Sequence, residues 1–155
     1  MSYSRSFPTP IGDLTITASA TGLTRVRFGG DAARTGLSSQ VSLFDDYFSG
    51  LATLEPLDID PNALPAGFRG AALDALRRVP YGTTVSYSEL AAAAGNPKAA
   101  RAAGSACATN PLPLVIPCHR VLPAGGGLGS YQAGADAKRW LLEHESRNLP
   151  RVQGV

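Results

Sequence analysis

Asn110-Pro111-Leu112-Pro113-Leu114-Val115-Ile116-Pro117-Cys118-His119-Arg120-Val121 is the stretch on which the reading of this chain turns. Leu114-Val115-Ile116 is a run of apolar, mostly β-branched residues with no solvent face, which predicts a short buried strand. Pro117 forbids a helix and biases Ile116 to an extended backbone. Cys118 is therefore expected at the end of a rigid segment. A thiol attacks as the thiolate, and adjacent positive charge or imidazole lowers its pKa. His119 and Arg120 supply both kinds of group. On an extended backbone neighbouring side chains point to opposite faces, so His119 reaches the sulfur only through a kink or a water. The bland alternative is a buried cysteine acting as a small hydrophobe.

Around this stretch the composition excludes several classes. The chain has 155 residues, room for one compact unit or two small lobes. It has no apolar run of ~18 residues and no basic-then-apolar leader, so neither a membrane span nor export is expected. Two cysteines, Cys107 and Cys118, are too few for a disulfide framework, and with only His119 and His144 beside them no zinc spacing appears. A reactive thiol implies a reducing cytoplasm. Residues 1–66 carry four arginines against seven acids, net −3, and residues 67–155 carry ten basic against five acidic side chains, net +5. The C-terminal half is the one expected to meet a polyanion.

Upstream, Ile11, Leu14, Ile16 and Ala18 alternate with polar residues, and Leu23 to Phe28 repeats the pattern after the turn Thr21-Gly22; together they predict a hairpin. Leu37, Val41, Phe44 and Phe48 fall at helical spacing before Gly50. These elements predict a supporting strand-and-helix lobe over residues 1–60, followed by a Pro- and Gly-rich linker at 61–67. Residues 68–155 form the second unit. Phe68 to Val79 predicts a helix. Ser86-Tyr87-Ser88-Glu89 fits a capping box opening a short helix through Ala94, and Pro97 suits the start of a third, Lys98 to about Thr109. The arrangement is a helix-turn-helix, and the fold class is α+β.

The third helix carries Ala99, Ala100, Ala102, Ala103, Gly104, Ser105 and Ala106, with Arg101 the only long side chain among them. Such a surface suits close helix packing. It equally suits a helix lying flat on the minor groove, ~6 Å wide, with one cation projecting into the stack. The glycines around Tyr131 mark a loop of unusual backbone angles. Asp136 to Glu145 predicts a last helix with Ala137, Trp140, Leu141 and His144 on one face and Lys138 and Arg139 facing solvent or phosphate. The tail from Ser146 is expected to be loose.

Pro117-Cys118-His119-Arg120-Val121, with Asn110-Pro111 upstream, resembles the active-site signature of the O6-alkylguanine-DNA alkyltransferases. The likeness is dense from Pro80 to Glu145, through Val85-Ser86-Tyr87, Gly95-Asn96-Pro97-Lys98-Ala99-Ala100-Arg101-Ala102, Gly129-Ser130-Tyr131 and Lys138-Arg139-Trp140-Leu141-Leu142-Glu143-His144-Glu145. It is looser at Pro10-Ile11-Gly12-Asp13-Leu14 and Asp46-Tyr47-Phe48-Ser49-Gly50.

The resemblance implies an RNase H-like N-terminal lobe and a winged-helix-like helix-turn-helix. It implies a monomer that binds double-stranded DNA through the minor groove, flips alkylated guanine and moves the alkyl group onto its own cysteine, once, without a cofactor. Cys118 would be the acceptor. His119 would take its proton through a water, oriented by Glu145, and Tyr87 would protonate the departing guanine at N3. Arg101 would fill the gap in the duplex, with Ser86, Lys98, Ala100 and Ala102 along the DNA-facing surface. Asn110, Pro117, Arg120, Val121 and Tyr131 would brace or line the pocket. The chemistry suits these residue types, since displacing an alkyl group needs a soft nucleophile, a base and a donor to the leaving group.

The chain departs from the family pattern at Gln132, where a small residue is usual, and at Phe68-Arg69 and Leu73, where Phe-Gln and a Trp are usual. The metal-binding cysteines of some relatives are missing, so no structural zinc and no phosphotriester repair are expected. Two other readings remain for such residues: a lesion sensor that binds without transfer, and a cysteine hydrolase.

Overall fold

The computed structural model describes residues 1–153. The expected hairpin is formed by β2 (Leu14–Ser19) and β3 (Gly22–Phe28). Leu23 and Val26 are an odd number of positions apart, yet both are buried; a register shift at Thr17/Ala18 puts them on the same face. An additional strand, β1 (Tyr3–Phe7), lies antiparallel on the other side of β2. Its pattern hides it, because the inward Ser6 is polar. That serine pairs across the strands with buried Thr15, hydroxyl to hydroxyl at 2.7 Å.

Helix α1 (Ser38–Phe48) covers the sheet with Val41, Phe44 and Tyr47 inward, and the Phe44 ring meets Phe7 at 5.5 Å. The approach to the expected linker is more ordered than its composition suggests. Leu57 and Asp60 are buried, Ile59 bridges to Leu23 on the sheet edge, and the Asp60 side chain caps a 3₁₀ turn at Pro61–Ala63.

Three short helices follow: α2 (Gly67–Arg77), α3 (Tyr87–Ala93) and α4 (Ala100–Ala108). The Ser86/Glu89 capping box is present in full at the start of α3. Helix α4 begins later than Pro97 suggests. Asn96 accepts the Lys98 N–H on its side chain at 3.1 Å and the Ala99 N–H on its carbonyl at 3.0 Å, so Pro97 and Lys98 belong to a turn. A two-residue parallel pair, β4 (Val85–Ser86) with β5 (Val121–Leu122), ties the start of α3 to the chain just after Cys118.

The last helix, α5 (Ala135–Val152), corrects the expectation of a loose tail from Ser146. Asn148 bonds back to the His144 carbonyl at 2.9 Å, and Leu149 packs at Gly82. Pro150 lies near the helix end on an exposed side, where a missing N–H disturbs little. Positions 154 and 155 lie outside the described residues. Among the described residues no helix is long and apolar enough to cross a membrane.

Candidate active site

The segment before Cys118 is a buried turn, not the expected strand. Leu112, Leu114, Val115 and Ile116 are all buried, which satisfies the apolar pattern. However, Pro111, Pro113 and Pro117 each lack an N–H, so no ladder can form. The chain folds back instead, with Ile116 N–H donating to the Leu112 carbonyl at 2.8 Å and Leu114 at φ 76°. Buried Asn110 clamps the turn from both sides: its amide donates to the Ile116 carbonyl at 2.8 Å, and its oxygen accepts the Leu112 N–H at 2.9 Å.

An Asn110→Ala protein loses both bonds; the Ile116 carbonyl keeps the Cys118 N–H, but the buried Leu112 N–H is left unpaired, at about 1–3 kcal/mol. Its thermal unfolding midpoint is expected to drop by several degrees, measured by calorimetry.

Pro117 then makes an inverse γ-turn (φ −80°, ψ 68°), with Cys118 N–H donating to the Ile116 carbonyl at 2.8 Å. A 3₁₀ turn over Cys118–Arg120 follows. Turning the chain here sends His119 and Arg120 together toward α5, while Cys118 lines a cavity. Buried Glu145 accepts from His119 Nε2 at 2.7 Å and from Arg120 in bidentate fashion at 2.7 and 2.9 Å. It also accepts from the Tyr47 hydroxyl at 2.6 Å and the Gly82 N–H at 3.1 Å. Gly82 sits at φ +77°, a backbone that suits glycine. Arg120 reaches further, donating to the Val79 carbonyl at 2.8 Å, with its guanidinium over the Tyr81 ring.

These partners fix the charges. His119 and Arg120 donors hold the Glu145 carboxyl far below the usual carboxylate range, against a burial effect that raises it. Burial lowers the His119 pKa, outweighing the opposite pull of Glu145. The pair is therefore a carboxylate and a neutral imidazole. A carboxylate can only accept, so Nε2 carries the proton and Nδ1 is the acceptor. Nδ1 is buried and has no protein partner. Arg120 is matched by Glu145 and does not lower the thiol pKa as the sequence suggests. Burial pushes the Cys118 thiol up, offset by Asn110 and Lys138.

Lys138 is the clearest correction. The sequence reading puts it toward solvent or phosphate, yet it is fully buried on α5. Its ammonium donates to the Val121 carbonyl at 2.8 Å and the Ser130 carbonyl at 3.4 Å, pinning the glycine-rich loop to β5. The missed signal is spacing. Lys138 stands two helical turns before Glu145, so the two share a face.

The cavity is about 220 Å³, smaller than the roughly 300–1,000 Å³ of drug-sized sites. Tyr87, Gly104 and Cys107 line one side, Cys118 contributes its thiol, and Ser130, Tyr131 and Gln132 line the other. Tyr87 reaches it because β4 pairs with β5, and its ring lies beside Gly104 with room for a Cβ there at 3.8 Å. The Gln132 amide does not hang free. It donates to the Asn110 and Ala108 carbonyls at 3.2 and 3.4 Å. Cys107, which the sequence suggests is a packing residue, is buried but also faces this cavity, and burial and Cys118 push its thiol up to about 12.

The small residues of α4 divide by face. Ala103 and Ala106 are buried, whereas Arg101, Ala102, Ser105 and Ala108 are exposed. Lys98 is exposed, and Ser86 and Ala100 are half-buried. Among the described residues no three His, Cys, Asp or Glu side chains group as metal ligands.

Known proteins resemble this chain in sequence and fold. The family model described as "6-O-methylguanine DNA methyltransferase, DNA binding domain" matches residues 67–147. A human methylated-DNA–protein-cysteine methyltransferase is 53% identical over 74 residues, 48% of this chain and 36% of that protein. The chain thus spans about a third of the length of the mammalian relatives it matches. The Mycobacterium bovis protein of the same name is 36% identical over 97% of this chain and 96% of its own length. A crystal structure of Mycobacterium tuberculosis OGT in complex with DNA superposes with a TM-score of 0.83 at 37% identity, covering 94% of this chain and 93% of that one. A match over half of the chain, together with a relative alike along almost all of it, means that the chain belongs to the 6-O-methylguanine DNA methyltransferase family.

Proposed function

We propose that this protein repairs DNA by moving an alkyl group from guanine O6 to its own Cys118, once per molecule. The observation that carries the reading is the thiol itself. It lines a cavity sized for one aromatic ring system, next in sequence to a neutral imidazole whose Nδ1 is unpartnered and whose Nε2 is tied to a carboxylate. That is the equipment for ionising a buried thiol at the moment of attack.

The step balances without a cofactor. His119 accepts the Cys118 proton through a water, and Sγ attacks the alkyl carbon. The carbon–O6 bond breaks, and guanine departs neutral as Tyr87 protonates N3. The Tyr87 hydroxyl is recovered from the imidazolium through solvent. Burial and the two cysteines raise the Tyr87 pKa, which keeps it protonated until the leaving group needs it. Lys138 is near enough to favour the thiolate. The target is inside the base stack, so the nucleotide has to be flipped, at a few kcal/mol.

The DNA-facing surface is the exposed side of α4, entered through the minor groove, with Arg101 filling the gap and Ala100, Ala102, Lys98 and Ser86 along the backbone. Residues 68–155 act as the DNA-binding unit of winged-helix type, residues 1–60 as an RNase H-like support, and 61–67 as the link. Asn110, Pro117, Arg120, Val121, Tyr131 and Gln132 shape or brace the base pocket. The protein works as a monomer in a reducing cytoplasm.

The test is stoichiometry. Guanine restored in an O6-methylguanine duplex should plateau at one per protein molecule, and continued turnover would refute the reading. For Arg101→Ala, repair of duplex DNA is expected to slow by about tenfold or more, while reaction with free O6-benzylguanine changes little. Equal slowing of both would remove the gap-filling role.

A further inference from the structure

The residue that the transfer reaction leaves unexplained is Tyr47. It lies on α1, 98 residues before Glu145, yet its hydroxyl donates to Glu145 Oε2 at 2.6 Å. His119 Nε2 meets the same oxygen at 2.7 Å. The grip is double, since the Tyr47 carbonyl accepts from His144 Nε2 at 2.7 Å. Its ring is edge-on to Phe48, Tyr81 and His144. It is almost completely buried, so the geometry is held by packing from every side.

We propose that Tyr47 is a positioning residue for proton removal at Cys118: its hydroxyl, delivered from the N-terminal helix, fixes the Glu145 oxygen that orients His119 and shares that oxygen's negative charge. The inference rests on the transfer reading and makes the N-terminal elements part of the chemistry.

The argument is one of competition at a single atom. Oε2 also takes Arg120 Nη2 at 2.9 Å. A carboxylate that shares its charge among donors holds an imidazole proton less tightly. Burial and the Glu145 charge raise the Tyr47 phenol well above its usual value, so it donates throughout the working range. Other charges facing His119 come from Arg120 on its own turn and Lys138 on α5, both opposing protonation; Tyr131 on the glycine-rich loop brings its ring to 6.4 Å, and Cys118 is its neighbour in sequence. Tyr47 adds to the same side by weakening the one group, Glu145, that favours the imidazolium. Without the hydroxyl, Glu145 draws the proton onto His119 at a higher pH, and Nδ1 ceases to be an acceptor.

The experiment compares wild type, Tyr47→Phe and Phe44→Leu. Phe44 is on the same helix and packs on Phe7, so its variant loosens the lobe without touching the relay. Single-turnover transfer is followed from pH 5 to 9, and His119 is titrated by ¹⁵N NMR in the DNA-free protein. For Tyr47→Phe the acidic limb and the His119 midpoint are expected to rise by about 0.5–1 pH unit, so that on the acidic limb, below both midpoints, transfer is about 3–10-fold slower. Phe44→Leu should melt earlier with both readings unmoved. A fluorinated tyrosine at position 47, a stronger donor of nearly the same volume, should shift the midpoint downward and serves if the phenylalanine variant folds poorly. An unmoved His119 midpoint in these variants overturns the inference. A wild-type protein that takes no alkyl group refutes the transfer reading, and the NMR titration still reads Tyr47 separately.

Discussion

A Cys118→Ala protein is expected to bind alkylated duplex DNA and leave it alkylated, with no adduct on the chain after any length of incubation. The loss should be complete because no second sulfur can substitute. Cys107 faces the same cavity, but it is flanked by Ala106 and Ala108 and has no histidine beside it in the chain to take its proton. Binding should survive, since Cys118 is buried and the exposed face of α4 is untouched. Intact mass measurement and a gel-shift assay read the two halves of this result. A Cys107→Ala protein should transfer normally.

The second large effect is on stability. Glu145 collects Tyr47, His119, Gly82 and two nitrogens of Arg120. Glu145→Leu removes the counter-charge and leaves the Arg120 guanidinium buried and unpaired. Breaking a buried pair in this way costs about 3–5 kcal/mol, which for a domain of this size is about 10 °C or more in Tm. The double variant Glu145→Leu/Arg120→Met should recover much of that loss, because the stranded charge goes with its partner. Calorimetry of the single and double variants decides the point.

The same site gives the wild type an acid sensitivity with a definite sign. His119 is buried neutral with a lowered pKa, so the unfolded chain binds its proton first and stability falls as pH drops below about 6.5. Glu145 is lowered too; its contribution is full above the unfolded carboxylate value of about 4.3 and is lost as pH falls further. Tm should therefore decline in two stages on acidification.

Much of the frame was legible because its signals are local. The hairpin follows from alternation, and α3 from a Ser-x-x-Glu box that the structure contains in full. What escaped reading depends on partners distant in sequence. The apolar run before Cys118 reads as a strand, but three prolines deny it a ladder and Asn110 supplies the missing bonds from outside the run. β1 is hidden because Ser6 faces inward and is satisfied by Thr15. Lys138 looks like a surface charge until the Val121 and Ser130 carbonyls are seen to hold it. Cys118 and His119 could be singled out from the chain and Glu145 from the family resemblance, whereas the Tyr47 contact with Glu145 spans both halves and leaves no local trace.

The most direct measurement is an intact mass of the wild-type protein after exposure to an excess of O6-methylguanine duplex, followed by peptide mapping. One methyl group per chain, on Cys118 alone, is the predicted result. Tight binding without a mass change, an adduct on Cys107, or unmodified protein that keeps turning over substrate would contradict it.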